Sequence, residues 1–155
     1  MAIFTAAQAI EMAMEIEQNG KKFYHAAAAK SNDAKVKALF EELAAQEQAH
    51  YQTFQNMLGE VKPAPDLQAE EYDQYQAYVQ IALENALFAG PDKALTLAEQ
   101  AKDREAALQA ALGFEKDTLL FFYDVREMVS DKDRETISNV IREEKKHVRR
   151  LTKLL

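Results

Sequence analysis

Glu47 and His50 stand three residues apart, and Glu144 and His147 repeat the pair 97 positions later. Two of the chain's three histidines therefore share one Glu-x-x-His setting. On a helix, side chains three apart project toward the same point, so each pair presents a carboxylate oxygen beside an imidazole nitrogen. Such a mixed donor set suits divalent first-row cations. Two further acids, Glu17 and Glu115, are related by a shift of 98. Because the chain contains no cysteine, disulfides, thiolate zinc sites, iron–sulfur clusters and thiol catalysis are excluded. Any metal must be held by oxygen and nitrogen.

Helices must position these residues, and the sequence supplies four long ones. Thr5-x-x-Gln8 is a capping box that opens a first helix running to about Lys30. Ser31 to Asp33 makes the turn, and a second helix continues to about Leu58, where Gly59, Pro63 and Pro65 end it. Asp103 is an N-cap for a third long helix ending near Val129, and Ser130-x-x-Asp133 caps the fourth. The long connection, residues 61–102, includes an aromatic-rich helical stretch and a shorter helical piece near Asp92 to Lys102. Short turns make the helices of each pair antiparallel. Helices of ~25 residues span about 40 Å, which a connection of roughly forty residues can cross. The expected fold is all-α, a four-helix bundle with one long crossover connection containing an extra short helix, in a single domain over residues 1–155.

The spacing then places the chemistry. Phe40, Leu43, Glu47, His50, Phe54 and Met57 alternate three and four apart, as do Ile137, Val140, Glu144, His147, Leu151 and Leu154. That alternation keeps one face toward neighbouring helices. Ile10, Ala13, Glu17, Gly20, Tyr24 and Ala27 form the seam of the first helix, and Leu108, Ala111, Glu115, Thr118, Phe122 and Val125 that of the third. All the polar interruptions by acid or imidazole fall at mid-length, so six such side chains should converge in one core layer. Four uncompensated buried carboxylates would cost several kcal/mol per ion, against a total stability of about 5–15 kcal/mol. Divalent cations would neutralise them. Two Glu-x-x-His helices with one Glu from each of the other two is the donor pattern of di-iron or di-manganese carboxylate bundles.

Composition narrows the setting. Four glycines and three prolines in 155 residues leave little to break helices. A formal charge of -7 argues against nucleic-acid or anionic-membrane partners. The N-terminal stretch lacks a basic leader, and no apolar run approaches ~20 residues, so a soluble cytoplasmic protein is expected.

The segments AMEIEQNGKKFY, FEELAAQEQAH, ALGFEKDTLLFFY and VIREEKKH resemble the four helices of the rubrerythrin and ferritin-like family of di-iron proteins, over essentially the whole chain. The resemblance implies a ferritin-like bundle with two iron ions per chain, zinc or manganese being alternatives in isolated protein. By matching position, it implies that Glu17 and His50 serve one ion and Glu115 and His147 the other, with Glu47 and Glu144 bridging. These six would also be the catalytic residues. Rubrerythrins proper carry a second glutamate one turn after the third-helix ligand, which exchanges with a histidine as the iron changes oxidation state. Thr118 stands there. A more symmetric site is therefore expected, and peroxidase chemistry by that exchange is not implied. Rubrerythrins proper also append a cysteine-rich rubredoxin domain as electron source. This cysteine-free sequence has none, so turnover would need an external donor such as a rubredoxin-type protein.

The resemblance thus implies a di-iron oxidoreductase that reduces hydrogen peroxide or dioxygen, as a homodimer or higher homo-oligomer. Ferroxidase activity with iron buffering or storage is a second expectation. A non-enzymatic bundle around a structural metal is the third. Tyr24, two turns after Glu17, could hydrogen-bond a ligand or be an ordinary core aromatic. Gly20 and Thr118, one turn after the acids, could leave room for water, oxygen or peroxide, and Gly20 could equally relieve close packing. His25 and Glu84 read as solvated. Tyr72, Tyr75, Tyr78 and Phe88 need a surface to pack on, either the bundle or a second subunit. The basic cluster near the C-terminus reads as the outer face of the fourth helix, where the dipole favours cations.

Overall fold

The computed structural model describes residues 5–65, 70, 71, 73, 74, 77 and 91–155. Among these are α1 (Ala6–Lys30), α2 (Ala34–Leu58), α3 (Pro91–Gln100), α4 (Arg104–Met128) and α5 (Asp131–Leu154). The expectations for Tyr72, Tyr75, Tyr78, Glu84 and Phe88 fall outside the described residues. The architecture is an all-α, ferritin-like bundle. α1 pairs with α2 and α4 with α5, while α1 also packs on α4 and α2 on α5. The short helix α3 lies against α1. No helix among the described residues is long and apolar enough to cross a membrane.

Most helix starts follow the capping residues in the sequence. Thr5 Oγ1 accepts from Gln8 N at 3.1 Å and Gln8 Oε1 from Thr5 N at 2.8 Å, the reciprocal box that satisfies two otherwise orphaned donors. Asp33 Oδ1 accepts from Lys35 N and Val36 N, and Asp103 Oδ1 from Ala106 N. Two boundaries work differently from expectation. Gly59 does end α2, but with φ -75° and ψ -16° it is right-handed and uses none of a glycine's freedom. Ser130 makes no side-chain cap; its Oγ instead donates to Asp133 Oδ2 at 2.9 Å, and that oxygen also accepts from Lys62 N at 3.0 Å. The non-helical segment after α2 has backbone groups that need partners. Asp133 supplies one, and Ala64 N–Met128 O and Ser130 N–Lys62 O, each 2.9 Å, supply two more.

The other end of the bundle is fastened by charge. Lys30 Nζ donates to the carbonyls of Glu99 and Ala101, near the C-terminus of α3, and Arg104 Nε donates to Asp33 Oδ2 at 3.0 Å. Ties at both ends set the relative depth of the four seams. Phe23, Tyr24 and Phe40 cluster on the side of the α1–α2 turn, with ring centroids 5.4 to 6.4 Å apart. Phe54 and Phe122 pack at 5.2 Å on the side of the α4–α5 turn. Between these aromatic layers lies the polar one.

Candidate metal centre

All six polar seam residues meet in that layer. Glu17, Glu47, Glu115, Glu144 and His147 are wholly buried, and His50 is 7% exposed. One donor atom from each of Glu17, Glu47, His50 and Glu144 lies within 4.8 Å of the others, and the same holds for Glu47, Glu115, Glu144 and His147. Each group could hold a metal ion, and Glu47 and Glu144 belong to both. The imidazoles stack with centroids 5.6 Å apart and 21° between planes, each turning Nδ1 inward. His50 Nδ1 is 2.8 Å from Glu144 Oε1 and 3.6 Å from Glu17 Oε1. His147 Nδ1 is 3.0 Å from Glu144 Oε2, 3.2 Å from Glu115 Oε1 and 3.5 Å from Glu47 Oε1.

The protonation of these side chains follows from their crowding. Burial, then the charges of Glu47 and Glu144, hold the Glu17 carboxyl well above its usual range; burial and the same two charges do so for Glu115. Burial opposes ionisation of Glu144 too, but the close approach of the His147 and His50 rings outweighs it and holds that carboxyl well below its usual range. Glu47 is also lowered, its contacts with Glu17 and the two imidazoles prevailing over burial and Glu144. Desolvation disfavours both imidazolium ions, yet the surrounding acids push His147 up to about 12 and His50 higher still. Crowding thus pushes Glu17 and Glu115 toward the neutral form and holds Glu47 and Glu144 toward the charged form, beside two imidazoles pushed toward the imidazolium.

These opposing charges do not satisfy every polar atom in the layer. Both oxygens of Glu17, Glu47 and Glu144, Oε2 of Glu115 and Nδ1 of His50 are buried with no aligned hydrogen bond among the described residues. Such groups are rare in native interiors, because each forfeits its hydration without replacement. Their lone pairs converge as the donor shell of two small cations would. The residues present fit a dinuclear carboxylate–imidazole centre.

The neighbouring residues resolve several expectations. Tyr24 is fully buried and its hydroxyl donates to Glu115 Oε1 at 2.5 Å, so it reaches across to the acid of the other half rather than to Glu17 on its own helix. Burial, above all, pushes this phenol well above its usual range. Gly20 does not leave room for a small molecule. A Cβ there would lie 2.6 Å from Phe114 Cζ and 3.5 Å from Glu47 Cδ, so an aromatic ring already occupies the space. Thr118 is 2% exposed, and its Oγ1 has no hydrogen-bond partner among the described residues. His25 is exposed. Sequence reasoning missed Gln46, whose Oε1 lies 2.5 Å from His147 Nε2. Its position beside Glu47 was the only signal, and its partner is 101 residues away.

Comparison with known proteins comes to one result. The family model described as Rubrerythrin matches residues 8–155. No curated protein and no solved structure matches the chain.

Proposed function

This chain belongs to the rubrerythrin family, and from that premise we propose that it is a di-iron oxidoreductase reducing hydrogen peroxide or dioxygen with electrons from an external donor. The observation that carries the reading is the pair of four-residue donor groups sharing Glu47 and Glu144. Glu17 and His50 would complete one iron position, Glu115 and His147 the other, and the shared carboxylates would bridge. An iron pair supplies, when bound, the two electrons that convert peroxide and two protons to two waters. Each such conversion would require two electrons from the external donor to restore the pair.

The chain's own residues do the rest. The carboxylates match the dipositive charge of the ions and favour the ferric state. Tyr24 fixes Glu115 through its hydroxyl and keeps its own proton. Phe114 and the aromatic layers exclude bulk water, while the Thr118 hydroxyl, which has no partner among the described residues, would offer a hydrogen bond to a small oxygen-bearing molecule beside Glu115. A second glutamate at that position would compete for the metal; threonine does not.

The test is to load the protein with ferrous iron anaerobically, then mix it separately with peroxide and dioxygen while following ferric absorption. Two irons per chain oxidised much faster by peroxide support peroxide reduction. Preference for dioxygen followed by release of ferric iron identifies iron handling instead. Bound metal without any redox response leaves a structural centre and overturns the proposal.

A further inference from the structure

The two histidines have different outer partners. Gln46 Oε1 faces His147 Nε2 at 2.5 Å, and Gln46 Nε2 donates to Glu42 Oε1 at 3.2 Å. Glu42 is in turn held by Arg150, whose Nη1 donates to Oε1 at 2.8 Å and Nη2 to Oε2 at 2.5 Å. The direction of this relay is fixed by chemistry. Arg150 can only donate, and it keeps the Glu42 carboxyl below its usual range, ionised and purely an acceptor. Gln46 must therefore turn its NH2 toward Glu42 and its carbonyl toward His147. His147 Nε2 must then carry a hydrogen, which leaves Nδ1, once it gives up its own proton, as the ring nitrogen able to present a lone pair to an ion held with Glu115, Glu144 and Glu47.

Among the described residues, His50 has no such support. Across the internal repeat, Glu143 stands where Gln46 stands, Asn139 in place of Glu42 and Thr53 in place of Arg150. Glu143 is paired with Lys146 at 2.9 Å, Asn139 with Arg142, and Thr53 Oγ1 with its own helix at Ala49 O. Among the described residues, no side chain makes an equivalent hydrogen bond with His50 Nε2.

We propose that the Gln46–Glu42–Arg150 relay positions His147 as a preset ligand and so makes the Glu115/His147 position the tighter, first-filled of the two. The inference rests on the two-metal reading of the centre. A ligand already held in the right tautomer and rotamer loses less freedom on binding, and an acceptor on the outer nitrogen raises the basicity of the inner one. Gln46 is a positioning residue; it touches no ion.

The experiment is a calorimetric titration of chelator-treated protein with Zn2+, in the native sequence and in Gln46→Met and Gln46→Glu. Methionine keeps the volume and removes the acceptor; glutamate restores it. Native protein should bind in two steps. Gln46→Met should weaken the tighter step by about 10–100-fold while sparing the other, and Gln46→Glu should recover it. Equal weakening of both steps, or no change, would overturn the relay. Should Gln46→Met fail to fold, crystals of native protein given one equivalent of Zn2+ decide by anomalous diffraction. Density on the His147 side supports the inference, and equal density or density on the His50 side refutes it. Native protein that takes up no metal overturns the dinuclear reading itself, whereas two indistinguishable steps overturn only this inference.

Discussion

The α1–α2 half and the α4–α5 half carry the same donors in different surroundings. Glu17, Glu47 and His50 in the first half correspond to Glu115, Glu144 and His147 in the second, and each donor group borrows one acid from the other half. Around the donors the correspondence ends. Tyr24 donates to Glu115, whereas its counterpart Phe122 has no hydroxyl to return to Glu17. Gly20 admits the Phe114 ring, while Thr118 places a hydroxyl there. Gln46 holds His147, and its counterpart Glu143 is paired with Lys146. The shared chemistry constrains charge and donor type alike in both halves, but packing constrains only volume. The symmetric site expected from the sequence is thus symmetric in its candidate donor residues and, among the described residues, asymmetric in what orients them.

Substitutions at shared and unshared acids should separate most widely. Glu144→Ala removes a member of both groups and should lower uptake from about two ions per chain to nearly none, while Glu17→Ala should leave about one. Atomic emission on dialysed protein counts them. Similar losses from both variants would break the bridging assignment.

Metal loading itself should stabilise the fold. Zn2+ at a hundredfold excess over Kd adds about 2.7 kcal/mol per site, read as a rise in Tm. The ligands must be deprotonated to bind, and Glu17, Glu115, His50 and His147 all hold their protons unusually firmly. Binding therefore releases protons, and affinity must increase as pH rises. At fixed Zn2+, the gain in Tm should be larger near neutrality than in mild acid; an opposite trend would contradict this charge assignment.

Gly20→Ala and Thr118→Ala test equivalent positions in the metal-free protein. Alanine at position 20 collides with Phe114 and should cost about 1–3 kcal/mol in chemical denaturation, despite its better helix propensity. Tyr24→Phe, which makes the two halves alike at that position, should cost about 1 kcal/mol and weaken only the metal step involving Glu115. The smallest effect belongs to Thr118→Ala. It deletes a buried hydroxyl that has no partner among the described residues, so stability should move by less than about 1 kcal/mol.

Much of this was legible in the sequence because it is periodic. Seam positions follow from the three-and-four alternation, so the depth of Glu17, Glu47, His50, Glu115, Glu144 and His147 could be read before any coordinates. Thr5, Asp33 and Asp103 cap as their types suggest, since capping is local. What escaped the sequence is contact between residues that no period relates. Gln46 meets His147, Glu42 meets Arg150 and Phe114 fills the gap at Gly20 only once the helices have a fixed rotation about one another. Asp133 looked like half of a helix cap and serves a loop 71 residues away instead.

The proposed function requires that two cations bind side by side in this layer, with Glu47 and Glu144 available to both. Anomalous diffraction from crystals grown with excess Zn2+ or Fe2+ tests it directly. Two peaks about 3.5–4 Å apart are expected, one beside Glu17 and His50 and the other beside Glu115 and His147, with both shared carboxylates between them. A single peak, or none within the layer, would contradict the account.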